Sequence, residues 1–291
     1  MARAGNGGTE PSALAALAAQ HGLTQLGERP PLGAYIRELW QRRSFLWTMS
    51  HAKSYAQNQN NYLGQLWTIL SPLTLAAVYY LVFGLLVDTT DGTTNFPAFL
   101  VIGIFIFLSL SSAVNSGAKS IINNIDLVRA INFPRAVLPI SVAVSEMLTL
   151  LPATGVMLVI VVLTGEPITW TWLLVPVALA LILLFTAGAC LVVARIVVIA
   201  RDLRNLIPVA IRLLRYVSGV FFSIQGYVEG ALGLVMEYQP FAVYLTLMRS
   251  CLMRETTMTL PLWGAAAGWA VLFAVVGLIF FWGAEDEYGR D

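Results

Sequence analysis

Glu146 is the residue of this sequence that most needs a chemical explanation, because it is a carboxylate about ten residues, some 15 Å, into an otherwise apolar stretch. A charge at that depth in hydrocarbon is costly unless paired or hydrated. It is therefore either a functional group, with proton coupling the obvious use, or a carboxylate satisfied by Ser141, Ser145, Thr149 or a neighbouring helix. Elsewhere the chemistry is sparse. No G-x-x-x-x-G-K-[ST] loop occurs; Ser116-Gly117-Ala118-Lys119-Ser120 lacks both the Gly-Lys pair and the upstream glycine, so this chain has no such route to ATP hydrolysis. His21 and His51 have no Cys, Asp or Glu at metal-ligand spacing, so no metal and no cofactor is expected in the chain itself, and both read as surface residues. Asp202 lies between Arg201 and Arg204, which favours an ion pair or a docking role over general acid–base work. Asp88, Asp91 and Glu166 fall in short polar links and read as solvated.

The elements that position these groups follow from composition. Of 291 residues 58% are hydrophobic and only 11% charged, and the mean hydropathy is +0.75; lipid, not water, has to solvate most of such a chain. A net charge of +1 gives no reason to expect nucleic acid as a partner. Cys190 lies in an apolar run and Cys251 in a segment read as external, so a disulfide framework is not expected. The first thirty residues show no basic start followed by an apolar core, so the first spanning helix is expected to act as the targeting signal.

Six apolar runs are long enough to span, approximately Trp67 to Val87, Phe96 to Asn115, Ala136 to Thr164, Trp170 to Ala194, Leu206 to Gln225 and Leu262 to Trp282. Pro139 and Pro152 predict a tilt or kink in the third. Arg37, Arg42, Arg43, Lys53, Lys119, Arg129, Arg135, Arg195, Arg201, Arg204 and Arg290 share one side if both ends are cytoplasmic, whereas the opposite links hold only Arg249 and Arg254. From Leu32 to Trp47 apolar residues recur at helical spacing against Arg37, Glu38, Gln41 and Arg42, which reads as an interfacial helix or as an amphipathic helix packed on protein. Ile121, Ile125 and Val128 give the link Lys119 to Arg135 one apolar docking face. Tyr227 to Thr259 is long for a connection and predicts short re-entrant or interfacial helices before the last span. The expected fold is all-α and polytopic: residues 1–31 a flexible cytoplasmic N-terminus, 32–66 the interfacial region, 67–283 the six-helix membrane domain and 284–291 a cytoplasmic tail.

Four segments in order resemble the permeases of polysaccharide-exporting ABC transporters of the Wzm type. These are Leu63-Gly64-Gln65-Leu66-Trp67 with Leu70-Ser71-Pro72-Leu73, then Phe133-Pro134-Arg135 with Leu138-Pro139, then Ala200-Arg201-Asp202-Leu203 with Pro208, and finally Gln239-Pro240-Phe241. The chain departs where the family often has Ser-Pro-Val, carrying Ser218-Gly219-Val220, and where Gln239 stands for the usual Asn. Within the family it looks most like galactan exporters of the mycobacterial type.

The resemblance implies a homodimer of this chain joined to two copies of an ABC ATPase that bind ATP and Mg, in the inner membrane of a bacterium, moving a polyprenyl-diphosphate-linked polysaccharide, galactan by the closer likeness. It implies ATPase docking around Ile121, Ile125, Asp126, Val128, Arg129, Arg201 and Asp202, and a substrate channel that Tyr79, Tyr80, Phe83, Phe221 and Phe222 would line. Arg42, Arg43, Arg212 and Arg215 are the cations available for the diphosphate, although positive-inside bias accounts for them as well. Three other readings compete: a membrane-embedded lipid-carrier glycosyltransferase, which would need clustered carboxylates that are missing here; a permease for a drug or lipid; and a proton-driven carrier resting on Glu146.

Overall fold

The computed structural model describes residues 30–56, 64–86, 93–224, 230–285 and 288. Expectations for the first 29 residues, Leu63, Asp88, Asp91, Gln225 and Arg290 lie outside them. Among the described residues every regular element is helical, as hydrocarbon requires of a chain with no closed barrel.

Among the described residues five helices are long and apolar enough to span a membrane: Trp67–Leu86, Phe96–Ala118, Val137–Leu163, Trp170–Ile199 and Leu260–Trp282. The first begins as α3 (Trp67–Tyr79) and ends in a π-helical stretch, Tyr80–Leu86. At the centre lies α4 (Phe96–Ala118), apolar on every face and mostly buried. Asn95 starts it, accepting from the Ala98 amide at 3.3 Å while its own amide donates to Thr164 O at 3.2 Å. The same side chain thus fixes the start of α4 to the end of α6 (Val137–Leu163), which runs antiparallel to it as one continuous 27-residue helix with Pro152 inside.

The last two spans, α7 (Val175–Ile199, after the 3-10 turn Trp170–Leu174) and α11 (Leu260–Trp282), run side by side in the same direction. Phe185 meets Phe273 at 4.9 Å, and further along Leu191 and Ala194 share a cluster with Phe281. Their backbones touch: a Cβ at Gly188 would collide with the Phe273 carbonyl, and one at Gly277 with the Gly188 carbonyl. Small residues allow this approach, and dispersion between close backbones supplies the attraction where lipid offers no hydrophobic drive.

The run expected to form the fifth span is different. Leu203–Val217 forms a 15-residue helix, α8, about 22 Å long, and the chain then turns through Ser218–Ser223. Arg204, Arg212 and Arg215 give this helix a charged face, and Gly219 at φ +66° ends it in a conformation that side chains with a Cβ rarely adopt. The described residues that follow include two short helices, α9 (Gly230–Tyr238) and α10 (Pro240–Leu252). At its start α10 packs Phe241 on Phe107 and Phe185, halfway along α4 and α7. At its end Cys251 O accepts from Thr171 Oγ1 at 2.6 Å, beside the beginning of α7.

The opposite end of the bundle is capped by α1 (Leu32–Gln41) and α2 (Arg43–Ala56), with α5 (Ile125–Ala130) alongside. The sequence read Leu32 to Trp47 as one amphipathic helix; the chain breaks it at Arg42. Tyr35 is buried in the bundle, whereas Trp40, Trp47 and Tyr55 stay exposed.

Candidate functional site

Where the span Trp67–Leu86 meets the turn after α8, Tyr79, Phe83 and Phe221 come together, with Tyr216 of α8 5.7 Å from Phe221. Phe83 stacks on Phe221 with centroids 5.0 Å apart and planes 13° from parallel, and Tyr79 closes on Phe221 at 4.4 Å. Helical spacing puts Tyr79 and Phe83 one turn apart on one face, while the tight turn after Gly219 brings Phe221 inward. Tyr80 points elsewhere, toward Phe96 at 6.3 Å, and Phe222 lines a separate cavity near Arg249. Sequence reasoning grouped five aromatics; three share one cluster.

Glu146 is buried, and Ser112 on α4 donates to it at 2.8 Å. A neighbouring helix thus supplies one of its partners; Ser141 donates to Leu138 O, and Thr149 pairs with Ser54 at 3.1 Å. Glu146 also lies where two cavities meet, one beside Trp67 and Ser109, the other beside Lys53, Asn115 and Lys119. Lys53 on α2 donates to Ser141 at 2.9 Å, and burial pushes its ammonium down to about 8 from an ordinary 10.5.

At the capped end Glu285 organises three segments. Its carboxylate accepts from Tyr35 Oη and from the Arg135 amide, both at 2.8 Å; the Arg135 guanidinium donates to the Glu285 carbonyl. Tyr35 Oη in turn accepts from the Ala136 amide at 3.1 Å. Burial first, and then the Glu285 charge, raise the Tyr35 phenol far above its usual range, so it stays a neutral donor. Ile121 and Val128 pack into this cap with Phe133 and Tyr288. Of the docking residues named from sequence these two therefore point inward, Ile125 is half-buried, and Asp126, Arg129, Arg201 and Asp202 are exposed.

The four arginines named as diphosphate ligands fall into two places. Arg42 and Arg43 are exposed at the α1–α2 junction, Arg43 above the Trp40 ring at 5.7 Å. Arg212 is exposed on α8, and Arg215 lies over Phe107, halfway along α4, at 5.3 Å.

Sequence reasoning missed Arg249. Its guanidinium is buried, sits 3.3 Å above the Phe99 ring centroid, and donates to Phe99 O, Gly219 O and Val220 O at 2.8–3.3 Å. It ties α4, α10 and the turn after α8 into one unit. The available signal was a lone arginine in an apolar helix, Phe241 to Leu252.

Residues 45–253 match the family described as ABC-2 type transporter. The chain is 30% identical over 214 residues to the O-antigen export system permease protein RfbA of Myxococcus xanthus, covering 72% of this chain and 81% of that one. Two Klebsiella pneumoniae proteins of the same description are 25% and 24% identical over 200 and 197 residues, covering 68% and 67% of this chain and 76% and 74% of theirs. A polytopic α-helical bundle with no phosphate-binding loop in its 291 residues, matched over most of its length, belongs to the ABC-2 type transporter family as a membrane permease subunit related to the O-antigen export permeases.

Proposed function

We propose that this chain is the membrane half of an ABC exporter for polyprenyl-diphosphate-linked polysaccharide, galactan by the sequence likeness, in the inner membrane of a bacterium. The observation that carries this reading is the match of most of the chain to O-antigen export permeases; Tyr79 and Phe83, half-buried over the buried Phe221, are the rings beside the first span's open edge. Ring faces bind sugar faces weakly and without a fixed register, which suits a chain that has to slide. The names of the three relatives support the same cargo class.

In this reading both ends are cytoplasmic, and the segment from α8 to α10 makes the sixth crossing, with α9 and α10 re-entrant from the outer side. The parallel run of α7 and α11 supports that count, because a chain leaving the end of α7 has to cross the bundle once before α11 can begin. Two copies pair through α3 and α8 and enclose the glycan path. Two ATPase subunits, holding ATP and Mg, dock on Ile125, Asp126, Arg129, Arg201 and Asp202, while Ile121 and Val128 anchor that segment from beneath. Closure of the ATPases then moves the cap and bundle as rigid bodies. Arg42 and Arg43 meet the diphosphate at the inner leaflet, and Arg212 and Arg215 continue the cationic path along α8.

The test is co-purification with the ATPase encoded beside this chain, followed by ATP hydrolysis in lipid with and without a polyprenyl-diphosphate galactan. A stable complex whose hydrolysis responds to the glycan is the expected result. A chain that purifies alone, or a complex indifferent to the glycan, overturns the reading.

A further inference from the structure

Between the turn that follows α8, the body of α10 and the start of α11 lies a cavity of about 190 Å³. Arg249 forms part of its wall but offers it little, since the guanidinium is committed to three backbone carbonyls. The remaining wall is rich in acceptors. Glu237 and Glu255 face it together with the hydroxyls of Thr246 and Thr257 and the rings of Phe222 and Tyr238. Glu255 is only half used. Its Oε2 accepts from the Thr94 amide and hydroxyl, each at 2.6 Å, whereas its Oε1 is buried and meets no protein donor.

A buried carboxylate oxygen without a donor carries an unreturned desolvation cost, and a ligand that brings hydroxyl donors removes it. Two carboxylates against the single positive charge of Arg249 leave the wall net negative, so a phosphate or a uronic acid suits it less than a neutral ligand. Ring faces beside acceptors and hydroxyls suit a polyol with one apolar face, which is the surface of a neutral sugar.

We propose that this cavity is a binding subsite for a single neutral sugar unit, held through its hydroxyls by Glu237 and Glu255 and through its carbon face by Phe222. The proposal rests on the export reading, deepens it by placing a sugar-selective position at the end of the path away from the cap, and sets the charge of the sugar accepted there.

The probes are a neutral galactosyl disaccharide and a disaccharide of the same size bearing glucuronate, each offered to the full chain in lipid nanodiscs and followed by saturation-transfer NMR. The neutral disaccharide should bind and the acidic one should not. Glu255→Gln, which keeps the shape and removes the charge, should weaken binding about tenfold, as loss of one charge-assisted hydrogen bond does. Thr246→Val serves as the second variant and should weaken binding less. Equal binding of both disaccharides, or a Glu255→Gln variant that melts like the parent and binds as tightly, overturns the subsite. If neither disaccharide binds while lipid-linked galactan still stimulates ATP hydrolysis, the subsite fails and the export reading stands. Binding of the neutral disaccharide with no response of hydrolysis to the glycan leaves the subsite and removes the export reading.

Discussion

Arg249 holds the carbonyls of Phe99, Gly219 and Val220, which come from positions 150, 30 and 29 residues away. Those separations explain why no local pattern announced its role: a side chain that satisfies distant backbone is indistinguishable in sequence from a lone basic residue in an outer link. Replacing it with Met takes the donor from all three carbonyls, and each unmade bond costs about 1–3 kcal/mol. Arg249→Met should lower the melting temperature in detergent sharply, and Arg249→Lys should recover only part of the loss, because a point charge cannot replace a planar fork. Lys53 gives a second prediction at this scale. Burial holds its ammonium near 8, below the 10.5 of an exposed lysine, so between those values the unfolded chain binds more protons than the folded one. Stability linked to Lys53 is lowest below about 8 and rises as pH climbs toward 10.5. Melting curves taken between pH 7.5 and 10 should show that rise in the parent, and Lys53→Met should remove it. Glu146 was legible as a residue in need of a partner. Its partner, Ser112 on a different helix, was not, because the antiparallel register of α4 and α6 sets that pairing.

The contact of α7 with α11 leaves no room for a side chain at Gly188 or Gly277. Gly188→Val has to push the helices apart, and overpacking of this kind costs about 1–3 kcal/mol. The expected outcome is a lower melting temperature and faster proteolysis at the ends of α11, whereas Gly264→Ala, with open space around its Cβ position, should change neither. Long helices were the most legible elements, because a membrane demands some 20 apolar residues in a row and the sequence supplies them with polar punctuation. Leu206 to Gln225 was legible only as an apolar run. Apolar content alone suggested a span, but three arginines on α8 and a left-handed glycine after it make a shorter amphipathic helix and a turn. Similarly, Ile121 and Val128 formed a docking face on paper, and the cap of the bundle claims that face for itself.

Taken whole, the bundle is unevenly finished. α4 is buried on almost every side, while the span Trp67–Leu86 rests one edge on it and leaves Val78, Leu81, Leu85 and Leu86 exposed. Pairing of two copies through this span predicts that Leu81→Cys cross-links to itself in native membranes under mild oxidation. Cys190 and Cys251 are both buried and should stay silent in that assay; a cysteine at Trp170, exposed at the start of the 3-10 turn before α7, serves as the negative control. The family resemblance implied an aromatic-lined glycan path, but only the turn after Gly219 decided which rings meet, and that is a property of folded backbone rather than of spacing. The cap carries a consequence for biogenesis. Tyr35 and Glu285 are 250 residues apart, so the first described helix leaves the ribosome long before its acceptor exists. Until the last span has inserted and delivered Glu285, the Tyr35 hydroxyl and the Arg135 amide have no carboxylate to meet, and α1 waits on the membrane surface with its seat unfinished. Delivery of Glu285 is thus written into the geometry as the event that closes the capped end of the bundle, and quality control need only ask whether that end is shut.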